Sequence, residues 1–590
     1  MKSFLKYLLA SIIGVFISFF IVFIIFVGII GSMVSSIDRP FQPKANSVLT
    51  IKLNYPVMDR SSSDPLDNFD FSTFQTIKNL GLNDILKNVK KAKLDENIKG
   101  IFLDMTFVAT GYATVDEIRE ALLDFKKSGK FIIAFGEVYT QKAYYLASVA
   151  DRIYLNPAGM IDFSGIARQV IFYKGLFDKW GIEPQIIRHG EYKSYVEPYM
   201  LKKMSEENKE QTMEYISDIW DYLRQNVSSS RNISIDRLNY FANNLTSLFN
   251  VEEAVMYNFI DGYKYRDEVE DEIRDSLNIS ENKKINFVSL NQYDGAPEER
   301  KEKTLVKEKI AVIYALGDIN IGESDEYSIG ASTFYEAINK ARKDTSIKAI
   351  VLRVNSPGGT ILGSEIIRRE VELAAETKPL VASMGDVSAS GGYYILCNAD
   401  TILADRVSIT GSIGVLGILF NGKKFLNEKL GLTSDVVKTN DKTDLGSVFR
   451  PLTNVEKALL EKNVEEAYNK FVKYVADGRG MSIEEVDKIG RGRVWSGKDA
   501  KENGLIDVFG GLEKAVEIAA KMAHLDKYRI IELPKQKEPF EILMKGISGK
   551  IHTRVLKSEL GANYKYVEEI KKIMSYEGII ARMPFDIEME

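Results

Sequence analysis

Apolar residues along this 590-residue chain fall into three patterns. The first is unbroken. From Tyr7 to Ile37 there are 31 residues without Asp, Glu, Lys or Arg, and Leu, Ile, Val and Phe dominate from Leu8 to Ile30. About 20 such residues cross a bilayer as a helix. Lys2 and Lys6 precede the run, and Asp38 and Arg39 follow it. The positive-inside rule then keeps the short N-terminus in the cytoplasm and puts the bulk of the chain outside it. A cleaved signal peptide has an apolar core of about 7–15 residues. This run is longer and no convincing A-x-A site follows, so residues 1–38 are read as an uncleaved anchor with one transmembrane helix.

The second pattern is short and β-rich: IAVIYALG (310–317), KAIVLRV (348–354) and PLVASMG (379–385). Such runs are strands buried on both faces. The third is helical in period, as at 363–376, and in the long charged stretches 202–225 and 454–474. Strands alternating with helices predict an α/β fold with parallel sheets and right-handed crossovers. In such sheets ligands sit at the loops that follow the strands.

The pattern also repeats. Residues 98–165 match 347–414 without a gap, at a constant offset of 249. Ile98, Lys99, Ile101 and Leu103 answer to Ile347, Lys348, Ile350 and Leu352; Tyr144 and Tyr145 to Tyr393 and Tyr394; Ala150 and Asp151 to Ala399 and Asp400. This divides the chain into the anchor (1–38), a first repeat (47–279), a charged linker (280–309), a second repeat (310–525) and a C-terminal tail (526–590).

Three glycine-rich turns lie in the second repeat: NSPGG (355–359), SASGGYY (388–394) and TGSIG (410–414). Glycine after a strand lets a ligand approach backbone N–H groups, and a helix start beside a serine favours a nucleophile whose attack creates an oxyanion. Ser390 has that position. The same turn would also suit a plain serine N-cap. The repeat weighs against that simpler role, because the counterpart of Ser390 is Gln141, and Phe107, Val108, Ala109 and Thr110 stand where the second repeat has Ser-Pro-Gly-Gly. The fold alone therefore does not require Ser390 or the paired glycines.

Composition narrows the chemistry. Charge is 78 basic against 83 acidic residues, net −5, which argues against nucleic acid as a partner. The single cysteine, Cys397, excludes an intrachain disulfide and a multi-Cys zinc site. Only His189, His524 and His552 are present, so no metal and no cofactor is expected and a Ser-His-Asp triad has few candidates. A lysine can serve as base where burial lowers its pKa, although most lysines are solvated charges. Two stand at equivalent places: Lys193 in EYKSYVEP and Lys442 in NDKTDLGS, again 249 apart.

With SPGG, SASGGYY, TGSIG and YKSYVEP at these spacings, the chain resembles the signal peptide peptidase A family of membrane-anchored serine peptidases. It is most similar to the long, two-repeat form. The resemblance runs from the anchor to the terminal ARMPFDIE segment. It implies two tandem Clp-protease/crotonase-like repeats and a Ser/Lys dyad, with Ser390 as nucleophile and Lys193 of the first repeat as general base. Ser412 would hydrogen-bond the lysine, and the N–H groups of Gly391 and Gly359 would form the oxyanion hole. It further implies degradation of signal peptides and other hydrophobic peptides at the cytoplasmic membrane, with an extracytoplasmic catalytic part, and assembly as a homotetramer of eight repeats. If a second repeat met another second repeat, Lys442 would face Ser390 instead. Two other classes remain open: a crotonase-like enzyme using the same oxyanion hole on acyl-CoA thioesters, and a non-catalytic membrane scaffold.

Overall fold

The computed structural model describes residues 6–7, 11–18, 20–21, 41–63, 69–70, 75–76, 79–245, 251–280, 282–297, 306–325, 327–536 and 579–583. Most of the span expected to cross a membrane lies outside these. Residues 11–18 are helical with exposed apolar side chains, and among the described residues no helix is long and apolar enough to cross a membrane.

Each repeat builds one sheet, and the main strand order is the same in both. In the first the order is Gly262–Tyr263, Arg152–Leu155, Phe131–Gly136, Ile98–Asp104, Ser47–Ile51 and Asn286–Ser289, all parallel. In the second it is Val508–Phe509, Thr401–Ala404, Leu380–Ala389, Ile347–Ser356, Lys309–Leu316 and Arg529–Leu533. The central strands are buried on both faces, as continuous Val/Ile/Leu runs require. Beyond residue 386 the strand Leu380–Ala389 changes partner, pairing with Ile409–Gly411, which in turn pairs antiparallel with Val494–Ser496.

The duplication extends to buried polar contacts. Tyr144 Oη donates to the Phe259 carbonyl and Tyr393 Oη to that of Leu505, both at 2.8 Å. Asp261 accepts from the Ile153 N–H and from Arg231; Asp507 accepts from the Ile402 N–H and from Arg479.

Two expected boundaries move. The stretch 280–309 is not simply a linker, since Asn286–Ser289 closes the edge of the first sheet and Val288, Leu290 and Tyr293 are buried. An exposed edge at Ser47–Ile51 would leave backbone groups unpaired, and a four-residue strand too short to read from apolar period is enough to cover it. By the same logic the second repeat runs past 525, to the edge strand Arg529–Leu533.

A third sheet is shared. Its order is Ser328–Gly330, Asp318–Asn320, Gly358–Thr360, Ile579–Arg582, Leu416–Asn421 and Glu183–Arg188. It joins second-repeat strands to one first-repeat strand and to the tail. Of two long helices, Asn454–Arg479 packs on its strands Glu183–Arg188 and Leu416–Asn421, and Glu206–Arg231 packs on Val494–Ser496 of the second-repeat sheet; they are capped by Thr453 and Ser205 and stopped by Gly480 and Asn232 in left-handed conformation.

Arg353 locks the repeats together. It is wholly buried, donates to Asp59 (2.7 Å) and Glu117 (2.6 Å) of the first repeat, and reaches Ser383 Oγ and the Met384 carbonyl, both at 2.9 Å. Glu117 also accepts from the Leu512 N–H. Removing one partner of a buried ion pair leaves the others desolvated and unpaired, at a cost of about 3–5 kcal/mol. Arg353→Leu should therefore lower the urea midpoint sharply, and the triple change with Asp59→Leu and Glu117→Leu should regain part of that loss.

Candidate active site

The strand Leu380–Ala389 ends at Ser390, which turns the chain into the short helix Gly391–Tyr394. Ser390 has φ +55° and ψ −116°, and its N–H donates to the Gly411 carbonyl at 2.8 Å. A non-glycine residue held at positive φ costs about 1–3 kcal/mol and persists only where its surroundings impose it. Here the imposing neighbours are the NSPGG and TGSIG turns. Gly391 and Gly392 are glycines because the turns pack backbone on backbone: a Cβ on Gly391 would stand 3.1 Å from Gly358 Cα, and one on Gly392 2.5 Å from the Ser356 carbonyl oxygen. Gly358 itself sits at φ +108°.

Lys193 reaches this turn from the other repeat. Its Nζ lies 2.8 Å from Ser390 Oγ and 3.0 Å from both Ser412 Oγ and the Ser412 carbonyl oxygen. The lysine is wholly buried. Burial alone holds its pKa well below the usual 10.5; no carboxylate compensates. Nζ is within donating distance of all three oxygens, and Ser390 Oγ has the Gly414 carbonyl oxygen as its own acceptor at 3.4 Å. Ser412, at φ +49°, holds its own hydroxyl in place with its N–H on the Arg493 carbonyl at 2.6 Å.

The segment carrying Lys193 is docked on both sides. The strand Glu183–Arg188 pairs antiparallel with Leu416–Asn421. The Tyr192 N–H donates to the Arg491 carbonyl, and Gln211 donates to the Tyr192 carbonyl and Ser194 Oγ while accepting from the Val494 N–H. Gly492 has no room for a side chain, since its Cβ would lie 2.6 Å from the Lys193 N. Buried Glu197 accepts from Ser205 and Asn208, tying the turn after Lys193 to the start of the long helix.

Of the residues expected from sequence, Ser390, Lys193 and Ser412 thus meet within one chain. Gly391 stands at the helix start, where N–H groups lack intrahelical acceptors. Gly359 lies in the adjoining strand Gly358–Thr360. Lys442 is elsewhere, on an exposed loop. His189 stacks on Tyr468, ring centroids 3.9 Å apart. Burial pushes the Cys397 thiol up to about 12, so it offers no thiolate. In the first repeat the equivalent place is filled: Gln141 donates to Tyr112 Oη and accepts from the Gly165 N–H, and Phe163, the counterpart of Ser412, is core. Sequence reasoning assigned nothing to Gln211, Glu197 or Ser356; Ser356, whose Oγ accepts from the Gly358 N–H at 3.1 Å, was visible inside its motif.

The model of Peptidase family S49 matches residues 124–280 and again 372–526. The chain belongs to peptidase family S49. The S49 relatives include "Serine protease SPPA, chloroplastic" of Arabidopsis thaliana, 32% identical over 92% of this chain and 78% of that protein, and "Protease 4" of Salmonella typhi, 35% identical over 80% and 76%. The match in two places supports the long, two-repeat form of the signal peptide peptidase A family, and this S49 member is a serine-type peptidase. That sets aside the acyl-CoA and scaffold readings. Among solved structures a ClpP1 mutant from Listeria monocytogenes aligns with TM-score 0.24 and 14% identity over 35% of this chain and 94% of that one. The likeness is slight, and the α/β description rests on the sheet topology.

A lysine neutral when folded and charged when unfolded makes stability depend on pH. The unfolded chain binds the extra proton below 10.5, so the wild-type protein gains about 1.4 kcal/mol per pH unit as pH rises from the folded-state pKa to 10.5. Lys193→Met should be more stable than wild type near neutral pH. That advantage should shrink as pH rises toward 10.5, measured by urea titrations at successive pH values.

Proposed function

We propose that this S49 peptidase cleaves peptide bonds with a Ser390/Lys193 dyad through an acyl-enzyme. The observation that carries the reading is the buried, carboxylate-free amine 2.8 Å from a serine held at a strained turn. Lys193 takes the Ser390 proton as Oγ attacks the substrate carbonyl, and the N–H groups of Gly391 and Gly359 receive the oxyanion. Lys193 returns the proton to the leaving amine; water then enters and the same base activates it. Ser412 holds the amine in line.

The substrates are signal peptides and other hydrophobic peptides left in the cytoplasmic membrane. Supporting this, Val196, Tyr199, Leu416 and Ile418 form an apolar cluster just beyond Lys193 and the TGSIG turn. The uncharged run 7–37 anchors the chain in the membrane with its catalytic part outside the cytoplasm.

The chain assembles as a homotetramer by reusing an internal contact. Within the chain, Glu183–Arg188 pairs with Leu416–Asn421. Moved by the repeat offset, these become 432–437 and 167–172, and neither segment pairs with a strand among the described residues. Val437 is 100% exposed, and Ile171 and Leu432 are also exposed. Pairing 432–437 of one copy with 167–172 of the next is a head-to-tail contact, which gives a ring when the rotation from copy to copy closes, here after four.

Ser390→Ala and Lys193→Ala should each lower kcat/KM on a fluorogenic peptide by at least about a thousandfold, with assembly intact. Full activity in Lys193→Ala together with loss in Lys442→Ala would overturn the dyad. Val437→Asp should shift the sedimentation coefficient from tetramer to smaller species; an unchanged tetramer would refute the pairing.

A further inference from the structure

The long helix Glu206–Arg231 and the strand Val494–Ser496 meet across the repeats, and a side chain from each reaches the segment that carries Lys193. The first is Gln211, which is wholly buried. Its Nε2 donates to the Tyr192 carbonyl at 3.2 Å and to Ser194 Oγ at 3.0 Å, and its Oε1 accepts from the Val494 N–H at 3.1 Å. Tyr192 and Ser194 are the residues on either side of the lysine. Val494 stands opposite Gly411, whose carbonyl accepts from the Ser390 N–H. One amide thus ties the lysine's neighbours to the strands that seat the serine. The second is Arg493. Its carbonyl takes the Ser412 N–H at 2.6 Å. Its guanidinium lies over two rings, 4.7 Å from the centroid of Tyr192 and 4.4 Å from that of Trp495. It donates to Tyr192 Oη at 3.2 Å and pairs with Glu214 at 2.5 Å and Glu210 at 3.1 Å. Arg493 therefore holds Ser412 with its main chain and the residue before the lysine with its side chain.

The fold asks for neither residue. Both long helices have 26 residues, and the sixth position, Gln211 in one, is the exposed Leu459 in the other. No arginine or lysine occurs from 238 to 256, the stretch of the first repeat that answers to Arg493.

We infer that Gln211 and Arg493 are positioning residues for the proton transfer, a two-armed clamp across the repeats that fixes Lys193 Nζ against Ser390 and Ser412 and keeps water from it. The inference rests on the dyad reading. Neither residue touches a reacting atom; each acts through the lysine's neighbours. A misplacement of about 1 Å at such a contact costs about a hundredfold in rate. Loosening the segment also lets water reach the amine, which favours its ammonium form. The charges on the adjoining elements answer to one another. Arg493 faces Glu210 and Glu214, Arg491 faces Glu191 and Asp487, Glu197 accepts from Ser205 and Asn208, and Arg188 donates to the Lys193 carbonyl. The amine itself feels only burial.

The test measures kcat, KM and the pH dependence of kcat/KM on a fluorogenic peptide for Gln211→Leu, Arg493→Met and the double variant of the full chain. Ser194→Ala and Tyr192→Phe remove the same contacts from the lysine's side and leave helix and strand untouched, so the test stands even if the larger changes unfold the protein. Ser496→Ala is the control: it cuts another contact between the same helix and strand, Ser496 Oγ to Asp218 at 2.7 Å, and belongs to neither arm. In Gln211→Leu and Arg493→Met kcat should fall about a hundredfold with KM unchanged within about twofold. The acid limb of kcat/KM, which reports the base, should move to higher pH in both. The double variant should lose little more than the worse single one, since both arms act on one segment. Ser194→Ala and Tyr192→Phe should move the limb the same way by less, and Ser496→Ala should not move it. Acid limbs that superimpose on the wild type in every clamp variant that folds, whatever kcat does, would overturn the clamp and leave the dyad standing. A Lys193→Ala protein with the wild-type rate and acid limb would strike the dyad, and the clamp with it.

Discussion

Lys193 is carried by one repeat and buried in the other, with three oxygens and no carboxylate around its amine. An ammonium there would lose its hydration with no countercharge to replace it, which holds the pKa well below its usual value. The rest of the molecule can be read as the means of setting that amine against Ser390. Arg353 with Asp59 and Glu117 fixes one repeat on the other. The strand Glu183–Arg188 sets the height at which the chain enters the site, Gln211 clamps both sides of the lysine, and Gly492 lets the backbone come close enough. Ser412 supplies two of the three oxygens around the amine.

Duplication made this arrangement available and divergence divided the work. Both repeats keep the sheet order and the buried Tyr, Asp and Arg contacts, because these hold up the fold in each. The paired glycines survive only in the second repeat, where turn packs against turn and the tail strand passes over Gly358. In the first repeat Gln141 and Phe163 fill the same place with a side chain whose amide is satisfied and a ring that belongs to the core. A serine or a paired-glycine turn there would leave space with nothing to line it.

The third sheet is shared: its strands come from both repeats and from the last described residues of the chain. A sheet with strands from such distant parts of the chain can accept an extended peptide through the same hydrogen bonds that hold it together.

Several features could be read without coordinates. The buried parallel strands, the long charged helices and the repeat were evident because apolar period and the 249-residue offset are local or arithmetical properties. Ser390 and the paired glycines stood out because the other repeat does without them, and Lys193 and Lys442 were both in view as equivalent lysines. Short strands were not legible: Asn286–Ser289, at a sheet edge, and Ile579–Arg582, between two strands of the third sheet, are too brief to show a period, and only the neighbouring strands they pair with call for them. Nor were the roles of Gln211, Glu197 and Arg353, polar residues whose burial depends on what packs over them. Sequence by itself determined which side chains the chemistry could use, because residue type and repeat position are inherited along the chain. Only the tertiary structure decided which lysine stands beside the serine within the chain, because reach and burial depend on packing: Lys193 is enclosed against Ser390, while Lys442 stays on an exposed loop.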